Sequence, residues 1–493
     1  MQFKLEVNKI AISYPPLESS KGIPLLSQNR QFQWFTEPTY IYPMIPAYAA
    51  TLLKQAEYEV LWDDGIAEEK SYKQWLKSIV KEEPDIIAIE TKTPVVKRHW
   101  RIINELKEYL PKTKIVLMGD HVTALPLESF MNSKVDFVIT GGDYDFLLLN
   151  LVRWLEGKEK LEPGIYWRED NKVRNSGKFI LNHDLNTLPF IDRDLTKWWL
   201  YAYKNGNFKR VPGTYTMVGR DCWWRKNGGC TFCSWTIIYP EFRVRRPELL
   251  VDEIGFLIEK YRVKEVFDDT GTFPVGNWLR KFCKLMIERG YNERIYFSCN
   301  MRYGVLTKED YKLMKMAGFR MLLFGLESAS QKTLDMINKG VTVERMIKET
   351  KWASEVGLEP HITIMVGYPW ETREDAWNTF RLAKYLFQKG WAKTLQVTIV
   401  IPYPGTKLFQ QALEKGWLKT LDWDDYDMTK PVMKTPLPDE DVELMARKIY
   451  QLFFTPQYVV HRILTIRSFE DIQFILRGLK KVIGHIKDFS RKV

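Results

Sequence analysis

The chain has 493 residues, 45% of them hydrophobic and 27% charged, with a formal net charge of +11. It is too long for one ordinary domain, and it contains no apolar run of membrane-spanning length. Five cysteines, three of them clustered, exclude a disulfide framework, and the opening Met-Gln-Phe-Lys-Leu-Glu lacks a signal-peptide pattern, so a reducing, cytoplasmic location is expected. The basic balance comes with no RGG, zinc-knuckle or other nucleic-acid module; it reads as a solvated face, with no nucleic-acid partner.

Residues 1–160 alternate two patterns. Ile10–Ser13, Tyr58–Trp62, Asp85–Ile89, Lys114–Met118 and Val135–Ile139 are short, mostly β-branched runs. Helical periodicity fills Pro46–Ala56, Tyr72–Lys81, Lys97–Tyr109 and Phe146–Leu155. Alternation at this spacing predicts a parallel sheet covered on both faces, with any ligand at the carboxyl ends of the strands. Those ends are Tyr14-Pro-Pro, Glu90-Thr-Lys-Thr, Gly119-Asp-His-Val-Thr and Thr140-Gly-Gly-Asp. Residues 161–210 read as a connector, with a hairpin pattern from Gly164 to Arg174 turning at Asp170-Asn171.

The alternation resumes over residues 211–410. Strands are predicted at Thr214–Val218, Val263–Phe267, Arg294–Ser298, Met321–Phe324, His361–Val366 and Leu395–Ile401. Helices are predicted at Pro247–Tyr261, Asn277–Arg289, Lys308–Met316, Val343–Val356 and Arg373–Gln388. After the first strand come Cys222, Cys230 and Cys233 in a C-x7-C-x2-C pattern. Three thiolates from one loop can hold three irons of a four-iron, four-sulfur cluster and leave the fourth iron open to chemistry. Structural zinc is the alternative, but it wants four ligands, and no fourth cysteine lies nearby. Later strands end in Asp268-Asp269-Thr-Gly, Asn300-Met-Arg302, Glu327-Ser328 and Gly367-Tyr-Pro-Trp, each readable as a turn or as a ligand contact. Cys283 and Cys299 read as buried thiols. Residues 411–493 carry Asp422-Trp-Asp-Asp-Tyr-Asp and an amphipathic helix from Asp439 to Leu452. This stretch is expected to cap the strand-end mouth of the second unit, with Trp423 and Tyr426 either lining the substrate site or packed in a core.

The three cysteines, with the aromatic Phe232 before the third, resemble the radical S-adenosylmethionine (SAM) superfamily, although most members have three residues where the first gap here has seven. Gly119-Asp-His-Val-Thr-Ala-Leu-Pro126 looks like the Gly-Gly-x-His motif of the cobalamin-binding domain that precedes the radical SAM domain in one branch of that superfamily. Glu90-Thr-Lys-Thr93 takes the place of the hydroxyl-bearing loop against the nucleotide tail, and Thr140-Gly-Gly-Asp-Tyr-Asp145 replaces Gly-Glu-Gly-Glu. The Asp-x-His-x-x-Gly that supplies a cobalt-ligating histidine in many such domains is missing after the first strand.

The resemblance implies an α/β fold. A Rossmann-like cobalamin-binding domain would span 1–160 and a (β/α)6 partial TIM barrel 211–410, followed by a mainly helical capping extension over 411–493. It implies a four-iron cluster on Cys222, Cys230 and Cys233, and SAM held by Phe232, Asp268, Asp269, Asn300, Arg302, Glu327, Ser328 and Gly367. Cobalamin would be contacted by Tyr14, Thr91, Thr93, Gly119, Asp120, His121, Thr123, Gly141 and Gly142. The activity implied is anaerobic C-methylation of an unactivated carbon, on a peptide or protein side chain such as those of methyl-coenzyme M reductase, with a reductant protein or small electron donor as partner. The alternatives are a cyclisation or rearrangement with the same cofactors, and a non-catalytic corrinoid and iron–sulfur carrier.

Overall fold

The computed structural model describes residues 5–24, 34–170 and 172–489. The first sheet contains β1 (Lys9–Tyr14), β2 (Glu59–Asp64), β3 (Ile86–Glu90), β4 (Lys114–Met118) and β5 (Phe137–Ile139), all parallel. Ile86–Glu90 and Ile115–Met118 are buried along their whole length, as a sheet with helices on both faces requires. The connector hairpin extends this sheet with two antiparallel strands, β6 (Ile165–Glu169) and β7 (Lys172–Asn175), whose turn residue Asn171 lies outside the described residues. The spatial order is β2-β1-β3-β4-β5-β6-β7, so the direction of winding reverses between β1 and β3, where Tyr14 and Glu90 end their strands.

The second sheet is β8 (Gly213–Thr216), β9 (Glu265–Asp268), β10 (Tyr296–Met301), β11 (Phe319–Glu327), β12 (Glu359–Val366) and β13 (Thr394–Ile399), in sequence order and parallel throughout. Helices Pro247–Tyr261, Asn277–Glu288, Lys308–Met316, Val343–Glu355 and Arg373–Gln388 return the chain between strands, making a half-barrel. Their starts are written locally. Thr307 with Asp310, and Thr372 with Asp375, form reciprocal capping boxes, each Thr side chain contributing about 1 kcal/mol. A register shift between Gly325 and Glu327 re-aims the end of β11, and Glu327 takes a left-handed backbone with φ +62°.

Beyond β13, helix Asp439–Gln451 packs against the barrel edge, where Tyr450 Oη donates to the Val397 carbonyl at 3.2 Å. The last helix, Phe469–Asp488, crosses the strand-start end of the barrel rather than its mouth. Arg210 donates to Asp471 at 2.8 Å, and Arg477 donates to the Phe208 carbonyl at 3.1 Å. This last helix therefore closes the floor, which its amphipathic pattern alone does not reveal, while Met428 of the same tail lines the cavity. Trp423 and Tyr426 pack with the N-terminal unit instead of lining the cavity, Trp423 Nε1 donating to Glu128 at 2.8 Å.

Candidate active site

Between β8 and the next helix the cysteine loop folds as a closed turn. Arg225 reaches back to Asp221 with two hydrogen bonds of 2.5 and 3.0 Å. The short helical turn Trp223–Asn227 ends on Gly228 and Gly229, both left-handed; a Cβ on Gly229 would come within 2.5 Å of the Arg225 guanidinium. The long first gap is clamped to the segment after β11. Trp224 Nε1 donates to the Asn338 carbonyl at 2.8 Å, and Asn338 Nδ2 donates to the carbonyls of Asn227 and Gly229, each at 2.8 Å.

Cys222, Cys230 and Cys233 form no disulfide and line one cavity of about 240 Å³ together with Phe232, Asp269, Asn300, Arg302 and Glu327. Thr272 Oγ1 lies 3.0 Å from Cys222 Sγ, and the Arg302 guanidinium donates to Cys230 Sγ at 3.7 Å. Burial pushes the Cys222 thiol above its usual range, with the Thr272 bond opposing, so a cation must help draw off its proton. Arg302 stacks 4.1 Å from the Trp224 ring centre, while its Nη2 is buried without a hydrogen-bond partner. An unspent guanidinium donor beside a cavity suits a carboxylate. Glu327 is held by Lys339 at 2.7 Å, and Gly325 makes that pairing possible, since a Cβ there would meet the Glu327 carboxylate at 2.3 Å.

Three nominated residues stand elsewhere. Asp268 spends its buried carboxylate on Thr216 Oγ1, Val218 N and Thr270 N, at 2.9, 3.0 and 3.1 Å, and so braces the approach to the cysteine loop. Ser328 accepts from Ser330 N at 3.1 Å, away from the cavity. Gly367 N donates to Glu371 at 2.6 Å; burial pushes the Glu371 carboxyl up to about 8. Thr272, Trp224 and Lys339 were not singled out in the sequence. Trp224 sits inside the unusual gap, and Lys339 follows a helix twelve residues beyond Glu327 with no motif to mark it. Cys283 and Cys299 are buried, and burial pushes the Cys283 thiol up to about 12.

At the N-terminal sheet the nominated residues are mostly engaged with one another. At the winding reversal, Tyr14 Oη and Tyr144 Oη both donate to Glu90, at 2.5 and 2.7 Å. Thr91 Oγ1 lies 2.7 Å from His99 Nδ1. His121 has both ring nitrogens taken, Nδ1 at 3.1 Å from Thr93 Oγ1 and Nε2 at 3.0 Å from Glu128. Asp120 accepts from its neighbour His121 N at 2.7 Å and stands 3.9 Å from Lys92 Nζ. Thr123 donates to the Gly119 carbonyl at 2.6 Å and accepts from Gly141 N at 3.1 Å. Gly119, at φ +125°, touches the Thr91 carbonyl; Gly141 lies under Phe179 and Gly142 under Tyr239, from the helix after the cysteines.

The donor set fits an iron–sulfur cluster with SAM: three thiols, a carboxylate, an amide, an unspent guanidinium and a second carboxylate ring one space. Among the described residues no group of three or more His, Cys, Asp or Glu side chains is gathered around one metal position, the three cysteines included. A corrinoid tail fits the N-terminal edge less directly. In this conformation it would have to displace Tyr239 and Phe179 from the glycines.

Residues 218–383, which carry the three loop thiols and most of the half-barrel, match the Radical SAM superfamily. The chain is 28% identical over 483 residues to an uncharacterized methyltransferase of Pyrococcus horikoshii, covering 97% of this chain and 99% of that one. It is 26% identical to the anaerobic magnesium-protoporphyrin IX monomethyl ester cyclase of Rubrivivax gelatinosus, covering 84% of this chain and 73% of the cyclase. Its fold is that of the radical SAM methyltransferase TsrM from Kitasatospora setae, solved with cobalamin and a 4Fe-4S cluster bound: TM-score 0.67, 13% identity, 99% of this chain and 100% of that chain.

Proposed function

We propose that this protein is a cobalamin-dependent radical SAM methyltransferase acting on an unactivated carbon. The observation that carries the reading is the convergence of Cys222, Cys230 and Cys233 with Asp269, Asn300, Arg302 and Glu327 on one cavity. The shared fold with a cobalamin-bound methyltransferase supports it along nearly the whole chain.

The three thiolates would hold the cluster, which when bound and reduced supplies an open iron and the electron that cleaves SAM. Cobalamin would supply the methyl group that a carbon radical takes up. The chain's own residues do the positioning. Arg302, fixed by Trp224, would pair with the SAM carboxylate, and Asp269 with Asn300 would receive its ammonium. Glu327, held by Lys339, would accept the ribose hydroxyls. Phe232, Leu323 and Met365 line the same space with apolar surface, which keeps water from a reactive intermediate.

The test is anaerobic turnover with SAM carrying a deuterated methyl group. Peptide side chains, among them a methyl-coenzyme M reductase peptide, and lipid extracts serve as separate candidate substrates. Label on a carbon of any candidate is the expected outcome. The relation to an anaerobic cyclase favours one competing reading, ring closure with the same cofactors. That reading predicts 5′-deoxyadenosine and loss of hydrogen from the substrate with no label gained.

A further inference from the structure

We propose that the C-terminal helical hairpin, Pro456–Ile463 with Phe469–Asp488, docks the protein on an anionic lipid surface. Phe469, Ile472, Leu476, Leu479 and Ile483 recur at alternating three- and four-residue steps, which places them on one face of the second helix. That face is turned outward: Phe469 is 71% exposed and Leu476 59%. The opposite face is committed to the barrel floor through Phe474, Val482 and Asp471, all buried, and through Gly484, where a Cβ would come within 2.9 Å of Glu37. The helix is therefore fixed in orientation and cannot roll its apolar stripe inward. Ile463 and Leu464, at the end of the preceding helix, are also exposed, at 59% and 63%. Contiguous exposed apolar surface of this kind marks an interaction site.

The charges around the stripe select the partner. Arg467 and Lys487 are exposed, and Lys480 is exposed beside Glu37 at 3.0 Å; of the acidic residues of the same helix, Asp471 and Asp488 are buried, and Glu470, half-exposed, pairs with Arg210 at 3.0 Å and Lys264 at 3.4 Å. A second copy would bring like charge against like charge on a chain of net charge +11. An anionic lipid surface attracts each exposed cation and receives the apolar stripe at headgroup depth, the arrangement of an interfacial helix. Among the described residues no helix is long and apolar enough to cross a membrane, so the hairpin would lie in the surface plane. His485 of the same helix lines the floor of the thiol cavity, so docking would set that end of the barrel toward lipid. Docking requires nothing of the cluster, so its test is independent of the proposed reaction.

The full-length protein is floated with phosphatidylglycerol vesicles and, separately, with phosphatidylcholine vesicles, at rising salt. Flotation with the first and not the second, weakening with salt, is expected. Arg467→Gln with Lys487→Gln should weaken it about thirtyfold. Leu476→Gln with Leu479→Gln should weaken it by about tenfold or more while leaving the thermal melt unchanged. No flotation, or equal flotation with both vesicles, overturns the proposal. So does a wild-type dimer in sedimentation that Leu476→Gln with Leu479→Gln dissociates, which would assign the face to a second copy.

Discussion

At the carboxyl ends of the barrel strands, Asp269, Asn300, Arg302 and Glu327 face a common cavity beside three thiols, and one guanidinium nitrogen there is buried and unspent. At the matching ends of the N-terminal sheet, Tyr14, Glu90, Tyr144, Thr93 and His121 are bonded to one another or to Glu128, and Gly141 and Gly142 are covered by aromatic rings. Both edges belong to parallel sheets, where ligands gather at strand ends. The difference lies in what the side chains have left to give. The barrel edge is set for a ligand before one arrives. The N-terminal edge must break contacts to admit one, so affinity there carries the cost of opening.

The largest effect should come from removing the thiols. Cys222→Ala with Cys230→Ala and Cys233→Ala is expected to abolish iron binding and SAM cleavage while cobalamin binding persists, read by metal analysis and by 5′-deoxyadenosine release. Asp268 and Asp269 separate bracing from binding. Asp268→Ala leaves three donors without their acceptor and should cost about 3 kcal/mol in denaturant unfolding. Asp269→Ala should leave stability nearly unchanged and raise the SAM concentration needed for cleavage. Arg302→Gln, retaining bulk but losing charge, should weaken SAM binding about thirtyfold, measured by calorimetry on the reconstituted protein.

Smaller effects test the remaining buried groups. Burial holds Glu371 protonated up to about pH 8, against 4.5 for an ordinary glutamate, so the folded state keeps its proton longer than the unfolded chain does. The stability this gives is complete below pH 4.5 and is lost as pH rises toward 8. Glu371→Gln should flatten that decline in melting temperature. The smallest expected change is none: with both nitrogens of His121 already engaged, His121→Ala should leave the EPR spectrum of the cob(II)alamin form without any lost nitrogen splitting.

The order of strands and helices was legible because each half repeats one pattern, buried β-branched runs against periodic helices, and Lys114–Met118, Pro247–Tyr261, Lys308–Met316 and Arg373–Gln388 begin and end where that pattern does. The thiol spacing and the order of strand ends also named five of the eight residues proposed for SAM that line the cavity. What stayed hidden depends on side-chain direction at a single residue. Adjacent Asp268 and Asp269 point to opposite duties because strand neighbours face opposite ways. Lys339 and Trp224 act through loops whose approach is set by the barrel's closure, not by local sequence. That the last helix closes the floor stayed hidden because an amphipathic helix declares that it is covered, not which surface covers it.

The most direct test of the barrel site is to reconstitute the protein anaerobically with iron and sulfide, reduce it, and count 5′-deoxyadenosine formed from SAM alongside bound iron and zinc. About four irons per chain with 5′-deoxyadenosine release is predicted. Tightly held zinc, no cluster and no SAM cleavage would contradict the account.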